Sequence, residues 1–171
     1  MINWNYYPRS TACPMELRGV IEAFMAVENL IDSETHVKQE SNEVLAHVTK
    51  DLLEMGFDVE TSKKGADKIF VPVLFGTNGK VEKRFDADAW HRDLGIVLEV
   101  EAGRALTNNQ FLKDLFQASM MHEVDYCAIA VRNIYQSGNS KDFEKISTFI
   151  ETMYASDRLR LPLKGILIIG Y

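Results

Sequence analysis

Residues 95 to 102 read Gly-Ile-Val-Leu-Glu-Val-Glu-Ala, an apolar run interrupted only by Glu99 and Glu101. Strand side chains alternate between faces, so a strand here turns both carboxylates to the same side. They would stand about 6–7 Å apart by strand rise, with repulsion to be relieved. The residues before the run hold a second acidic pair. Asp86 and Asp88, in Arg84-Phe-Asp-Ala-Asp-Ala-Trp90, also fall at i and i+2. A short turn joins the two segments, which predicts antiparallel neighbours. With that turn centred near Arg92 and Asp93, Asp86 lies opposite Glu99 and Asp88 diagonal to it. Up to four carboxylates then converge on one patch of sheet.

The flanking sequence predicts how that patch is framed. Met15 to Ile31 carries Leu17, Val20, Ile21, Phe24, Val27, Leu30 and Ile31 at helical spacing, behind Pro14. A second helix is expected over about Asn42 to Met55, with Ser41 as N-cap, Val44, Leu45, Val48, Leu52 and Leu53 as its buried stripe, and Gly56 as terminator. The period then changes. Phe57, Val59 and Thr61 alternate, and Lys68 to Phe75 reads as a strand near a sheet edge because of Pro72. Gly76 to Gly79 is a turn, Lys80 to Trp90 the next strand, and Ile96 to Ala102 a buried one.

Thr107-Asn-Asn-Gln110 fits a capping box opening a helix to about Met121, and Asn139 or Ser140 fits the cap of another, to about Tyr154. Asp125 to Val131 and Gly165 to Gly170 read as buried strands. The order α-α-β-β-β-β-α-β-α-β predicts an α/β protein: a mixed sheet flanked by helices on both faces. With 171 residues this is a single domain over 1–171, N-terminal helices at about 14–55 and the core at about 40–171. Trp4, Tyr6 and Tyr7 are read as anchoring the N-terminus or a partner surface.

A net charge of −6 argues against holding nucleic acid by bulk charge. The charge is uneven, however. Between Thr61 and Arg84 stand Lys63, Lys64, Lys68, Lys80, Lys83 and Arg84 against only Asp67 and Glu82. A solvated hairpin face and a phosphate-contacting patch both fit that segment. No apolar run approaches the roughly 20 residues that span a bilayer, and MINWNYYPRS has no apolar leader segment. Cys13 and Cys127 offer neither a disulfide framework nor zinc spacing, so a reduced, cytoplasmic protein without membrane partners is expected.

Clustered carboxylates in apolar surroundings are costly unless something positive occupies them. A hard divalent cation with oxygen ligands relieves them most simply, and Mg²⁺ binds through one or two carboxylates plus water and phosphate. Acids on a solvent-facing sheet are the plain alternative. It is disfavoured by the apolar flanks and the helices expected over both faces. His36, His47, His91 and His122 show no zinc-ligand spacing, and no GxSxG, Walker or GxGxxG motif is present.

Asp, a short hairpin, then Leu98-Glu-Val-Glu-Ala, after an N-terminal helix and before a helix and strand, resembles the PD-(D/E)xK nuclease superfamily. That resemblance covers about residues 40 to 132 and implies a restriction-endonuclease-like α-β-β-β-α-β core. The last motif position, usually Lys, is Glu101 here, which is similar to restriction endonucleases of the BamHI and BglII type. The resemblance implies a Mg²⁺-dependent (Mn²⁺ possible) DNA endonuclease, a homodimer on double-stranded DNA. Asp88 and Glu99 would hold metal, with Asp86 competing for the first role, and Glu101 would orient or deprotonate the attacking water. Glu43 would be a further acid from the early helix, or simply a charge complementing the helix dipole. Arg104 would contact a phosphate or pair with Glu99 or Glu101. Asn109 and Lys113, with Asn108, would contact the DNA backbone, alongside Lys83 and Arg84. Two other readings stay open: a catalytically silent nuclease fold acting as a DNA- or protein-binding regulatory module, and an unrelated α/β enzyme of phosphate chemistry.

Overall fold

The computed structural model describes residues 1–61, 67–103, 105–106, 108–135 and 140–171. In chain order the elements are β1 (Asn3–Tyr7), α1 (Met15–Ala26), α2 (Glu28–Ile31), α3 (Ser41–Glu54), β2 (Asp58–Val59), β3 (Ile69–Phe75), β4 (Val81–Ala87), β5 (Ala89–His91), β6 (Ile96–Glu101), α4 (Gln110–Met120), β7 (Tyr126–Val131), α5 (Asp142–Ser156) and β8 (Gly165–Gly170). Six strands form one mixed sheet in the order β1-β8-β7-β6-β5-β2. Its centre, β6-β7-β8, is parallel, and β1, β5 and β2 are joined antiparallel at the sides. Helices cover both faces, so the α/β class holds.

Why β6 to β8 sit at the centre follows from composition. Runs such as Cys-Ala-Ile-Ala-Val and Ile-Leu-Ile-Ile have no polar face to show to water, which suits parallel strands covered on both sides. Ile96, Leu98, Val100, Ala128, Ala130, Leu167 and Ile169 pack under α1 and α3, with Phe24, Leu17 and Val48 filling that layer. Val97, Cys127, Ile129, Val131, Ile166 and Ile168 face α4 and α5, meeting Leu115, Ile146 and Ile150. The connections β6-α4-β7 and β7-α5-β8 supply the crossovers that parallel pairs require.

Several boundaries differ from expectation. β1 was not foreseen as a strand: its aromatics pair with β8 and Tyr7 is buried, its hydroxyl donating to the Ser147 carbonyl at 2.9 Å. The first helix breaks at Val27 (φ −112°), which swings Ile31 rather than Leu30 into the core. α3 is capped one residue early, by Glu40, because Glu43 reaches back to accept the Glu40 N–H at 2.7 Å. α4 starts after Asn109, which holds a left-handed conformation (φ 51°) without a side-chain cap bond, and Thr107 lies outside the described residues. α5 follows Lys141 rather than Ser140, and Asn139 also lies outside the described residues.

The change that matters most is at Asp88. The strand expected over Lys80 to Trp90 is two strands in two sheets. β4 pairs with β3 as a separate ribbon, and β5 joins the main sheet. Asp88 is the hinge between them, its carbonyl accepting the Glu60 N–H at 2.8 Å.

Candidate active site

The hairpin register decides which acids meet. Ala89 pairs with Leu98, Trp90 with Val97 and His91 with Ile96, so the turn centres between Asp93 and Leu94, one residue later than expected. That shifts the partner by two. Asp88, not Asp86, therefore sits at the position facing Glu99. The turn needs Gly95, whose φ is +61°, and a Cβ there would stand 2.6 Å from the Glu123 carbonyl oxygen.

Odd positions of β6 face α4, so Glu99 and Glu101 point toward a helix whose polar residues Gln110, Lys113, Asp114 and Gln117 follow i, i+3, i+4, i+7 spacing. Together with Asp88, Glu60 and Lys68 they line a cavity of about 400 Å³ at the carboxyl end of β6. Ser41 and Asn42, opening α3, close its other side. The outer ends of parallel strands are where α/β sheets place their binding crevices.

The electrostatics of this cavity are unusual. Burial raises the Asp88 carboxyl to about 6, against the pull of the Val100 N–H, which donates to Oδ2 at 2.7 Å. Burial, then the charges of Asp88 and Asp114, push Glu99 well above the ordinary carboxylate range. Glu101 is pushed up to about 8 by burial, then by the charge of Asp114 and a hydrogen bond with it. The same contact draws Asp114 down while burial draws it up, so the pair holds its proton more tightly on Glu101 than on Asp114. Asp114 is 3% exposed, with Lys113 Nζ 3.5 Å from Oδ1 and no hydrogen-bond partner for Oδ2. Four carboxyls of raised proton affinity, on three segments, thus share one cavity with Glu60 and Asp86.

Lys68 supplies the cavity's opposing charge. It ion-pairs with Asp86, and this contact, together with the charges of Glu60 and Asp88, raises its ammonium. Sequence reasoning missed Asp114, and named Lys68 only as one of six cations in a segment that fits a solvated face or a phosphate-contacting patch. The polar stripe of α4 was the available signal for Asp114. Nothing local tied Lys68 to the acids, because the β3–β4 ribbon brings it in from outside the hairpin that carries them.

The other expected site residues are placed as follows. Asp86 lines the cavity but is half exposed and paired with Lys68. Lys113 lines it as well, one helical step from Asp114. Asn109 caps α4 beside it. Lys83 and Arg84 lie on exposed β4, their cations over Phe85 (5.2 Å) and Phe70 (3.9 Å), outside the cavity lining. Glu43 is turned back to the α3 cap and does not line the cavity. Arg104 lies outside the described residues. His91 is structural: Nε2 donates to the Met55 carbonyl at 3.0 Å, and its ring meets Phe57 edge-on.

Among the described residues, no three His, Cys, Asp or Glu side chains are gathered around one point that a metal ion could occupy. Asp88 is held on the backbone, and Glu101 and Asp114 on each other. The donor chemistry is nonetheless that of a hard cation: oxygens only, one of them, Asp114 Oδ2, buried without a partner. Compared in sequence, the chain matches no family model and no curated protein. Among the described residues no helix is long and apolar enough to cross a membrane.

Proposed function

We propose that this chain is a divalent-cation-dependent phosphodiester hydrolase acting on DNA, with Mg²⁺ or Mn²⁺ as its cation. One observation carries the reading: the half-buried Asp88, Glu99 and Glu101 and the buried Asp114 converge on an open cavity beside Lys68. The order of α3, the hairpin strands, β6, α4 and β7 also accords with the nuclease resemblance of the sequence. Asp88 and Glu99 would hold the cation, with Asp86 the competing ligand. When bound, it would acidify a water and offset charge growing on the phosphate. Glu101, deprotonated once positive charge enters the cavity, takes the proton of the attacking water, and Asp114 orients it. Lys68 gives the cavity a fixed cation, which position 101 lacks. Lys113 and the start of α4 face the strand's phosphates. A homodimer would present two such cavities to the two strands of a duplex.

The second reading is a silent relative that binds DNA or protein without cutting. The Glu101–Asp114 hydrogen bond favours it, since a carboxyl pair satisfied by its own proton can persist without a cation. Plasmid DNA incubated with Mg²⁺ or Mn²⁺, beside Glu99→Gln, separates the two. The expected result is cleavage that falls at least about a hundredfold in the variant, the scale of a lost electrostatic group. Binding of DNA without cleavage would establish the silent reading. Absence of both cleavage and calorimetric cation binding would overturn the site itself.

A further inference from the structure

A second cavity, of about 440 Å³, adjoins the first and shares Ser41 and Glu101 with it. Its lining includes Lys38, Gln39, Gly103, Arg132 and Tyr135. Arg132, at the carboxyl end of β7, is 2% exposed. Its guanidinium donates to two neutral carbonyls, Nη1 to Val37 at 2.8 Å and Nη2 to Gln39 at 2.5 Å. Nε has no partner, and no described carboxylate lies within ion-pairing distance. Asp142 feels the Arg132 charge, but its carboxyl accepts the Ser140 hydroxyl at 2.5 Å. A buried cation without a counter-charge is costly, and a cavity against it marks where the counter-charge belongs.

The surrounding groups agree. Lys38 is exposed at the rim, and the first turn of α3 brings N–H groups that have no intrahelical partner. The Gln39 side-chain oxygen is buried and unpartnered, which a bridging water would satisfy. Two acids also border the cavity. Glu40 is exposed, and the Glu101 carboxyl is engaged by Asp114 on the side of the first cavity.

We infer that this second cavity is a phosphate subsite, in which Arg132 and Lys38 seat the phosphate next to the one lying at the carboxylates. The inference rests on the hydrolase reading for its polymer, but the subsite itself is defined by phosphate. A guanidinium with free N–H groups suits a phosphate's oxygens better than a point charge does. The arrangement makes one cavity select anions and its neighbour cations, with Ser41 between them.

Titration of the full chain with inorganic phosphate, in cation-free buffer and followed by amide NMR shifts, tests this directly. Shifts should centre on Lys38, Gly103 and Arg132, and Lys38→Glu should weaken binding by about tenfold. Arg132→Gln should abolish it. Because Arg132 also anchors residues 37 to 39, Lys38→Glu keeps the test valid if that variant unfolds. Glu99→Gln should leave phosphate binding intact, so loss of cleavage and loss of the subsite are read separately. Two short oligonucleotides, with and without a 5′-phosphate, distinguish an internal diester from a terminal monoester by which one competes with phosphate. Unchanged affinity in Lys38→Glu, or shifts confined to other surfaces, would overturn the proposal.

Discussion

The two faces of β6 behave as different materials. Toward α1 and α3 the strand presents Ile96, Leu98 and Val100, all buried among hydrocarbon. Toward α4 it presents Val97, then Glu99 and Glu101, beside Asp88 and Asp114. The same six residues thus stabilise the fold on one side and tax it on the other. On the first face the removal of atoms leaves a void. On the second, the removal of charge should relieve a strain that a bound proton or a cation otherwise relieves. A fold with one face so well packed can tolerate the other, and this is the usual arrangement of a functional site.

The largest effect should come from breaking the packed face. Leu98→Ala removes a fully buried side chain between β6 and α3 and should cost about 2–5 kcal/mol, read as a lower midpoint in denaturant at unchanged slope. The acidic face should respond with the opposite sign. The folded carboxyls of Asp88 (about 6) and Glu101 (about 8) lie above their unfolded values near 4, so the folded chain keeps protons that the unfolded chain has shed. Stability should therefore be highest at and below about pH 4 as far as these groups decide it, and fall as pH rises, levelling off above about 6 for Asp88 and above about 8 for Glu101. Glu101→Gln should flatten the upper part of that decline. Its gain at pH 8 should be on the order of 2 kcal/mol, discounted for the partial exposure of Glu101. A thermal melt series from pH 5 to 8.5 reads this, and a variant less stable than the parent at pH 8 would refute the burial argument.

The difference between the faces also explains what the sequence disclosed. Alternation put Glu99 and Glu101 on one side of a strand, and the all-apolar strands β7 and β8 announced a covered parallel centre. These are local periodicities, and they survive folding. The partner of Glu99 was not local: it depended on where a four-residue turn is centred, and a one-residue error there exchanged Asp86 for Asp88. Lys68 and Asp114 were harder still, since each reaches the cavity from an element whose approach is set by tertiary packing. β1 escaped because its aromatics do not alternate cleanly with polar residues, though such residues favour strands. Glu43 satisfied a helix cap instead of the cavity, as the simpler reading of its position allowed.

A cation should reverse the contrast. If it binds the ionised carboxyls, Mn²⁺ or Mg²⁺ should raise the melting temperature, and more so at pH 8 than at pH 6, because fewer protons must then be displaced. At a hundredfold excess over its dissociation constant the gain is about 2.7 kcal/mol. Glu99→Gln should abolish that gain while leaving the packed face, and hence the unfolding slope, unchanged.

The smallest effect concerns Asp86 and Lys68, where the two faces give way to the ribbon. Their ion pair is partly exposed, with 28% and 52% of the side chains accessible, so breaking it should cost no more than about 1 kcal/mol. Its value lies in assigning the ligand. Asp88 is fixed by the Val100 N–H at the register position facing Glu99, whereas Asp86 spends its charge on Lys68. Asp88→Asn should therefore remove most of the cation-induced rise in melting temperature. Asp86→Asn should change cation affinity by less than about threefold, a difference under 1 kcal/mol. Lys68→Gln should tighten cation binding, since it withdraws a like charge from the cavity and frees an acid at its edge. If Asp86→Asn instead weakens the cation as severely as Asp88→Asn does, the ribbon supplies a ligand, and the acidic face extends across both sheets.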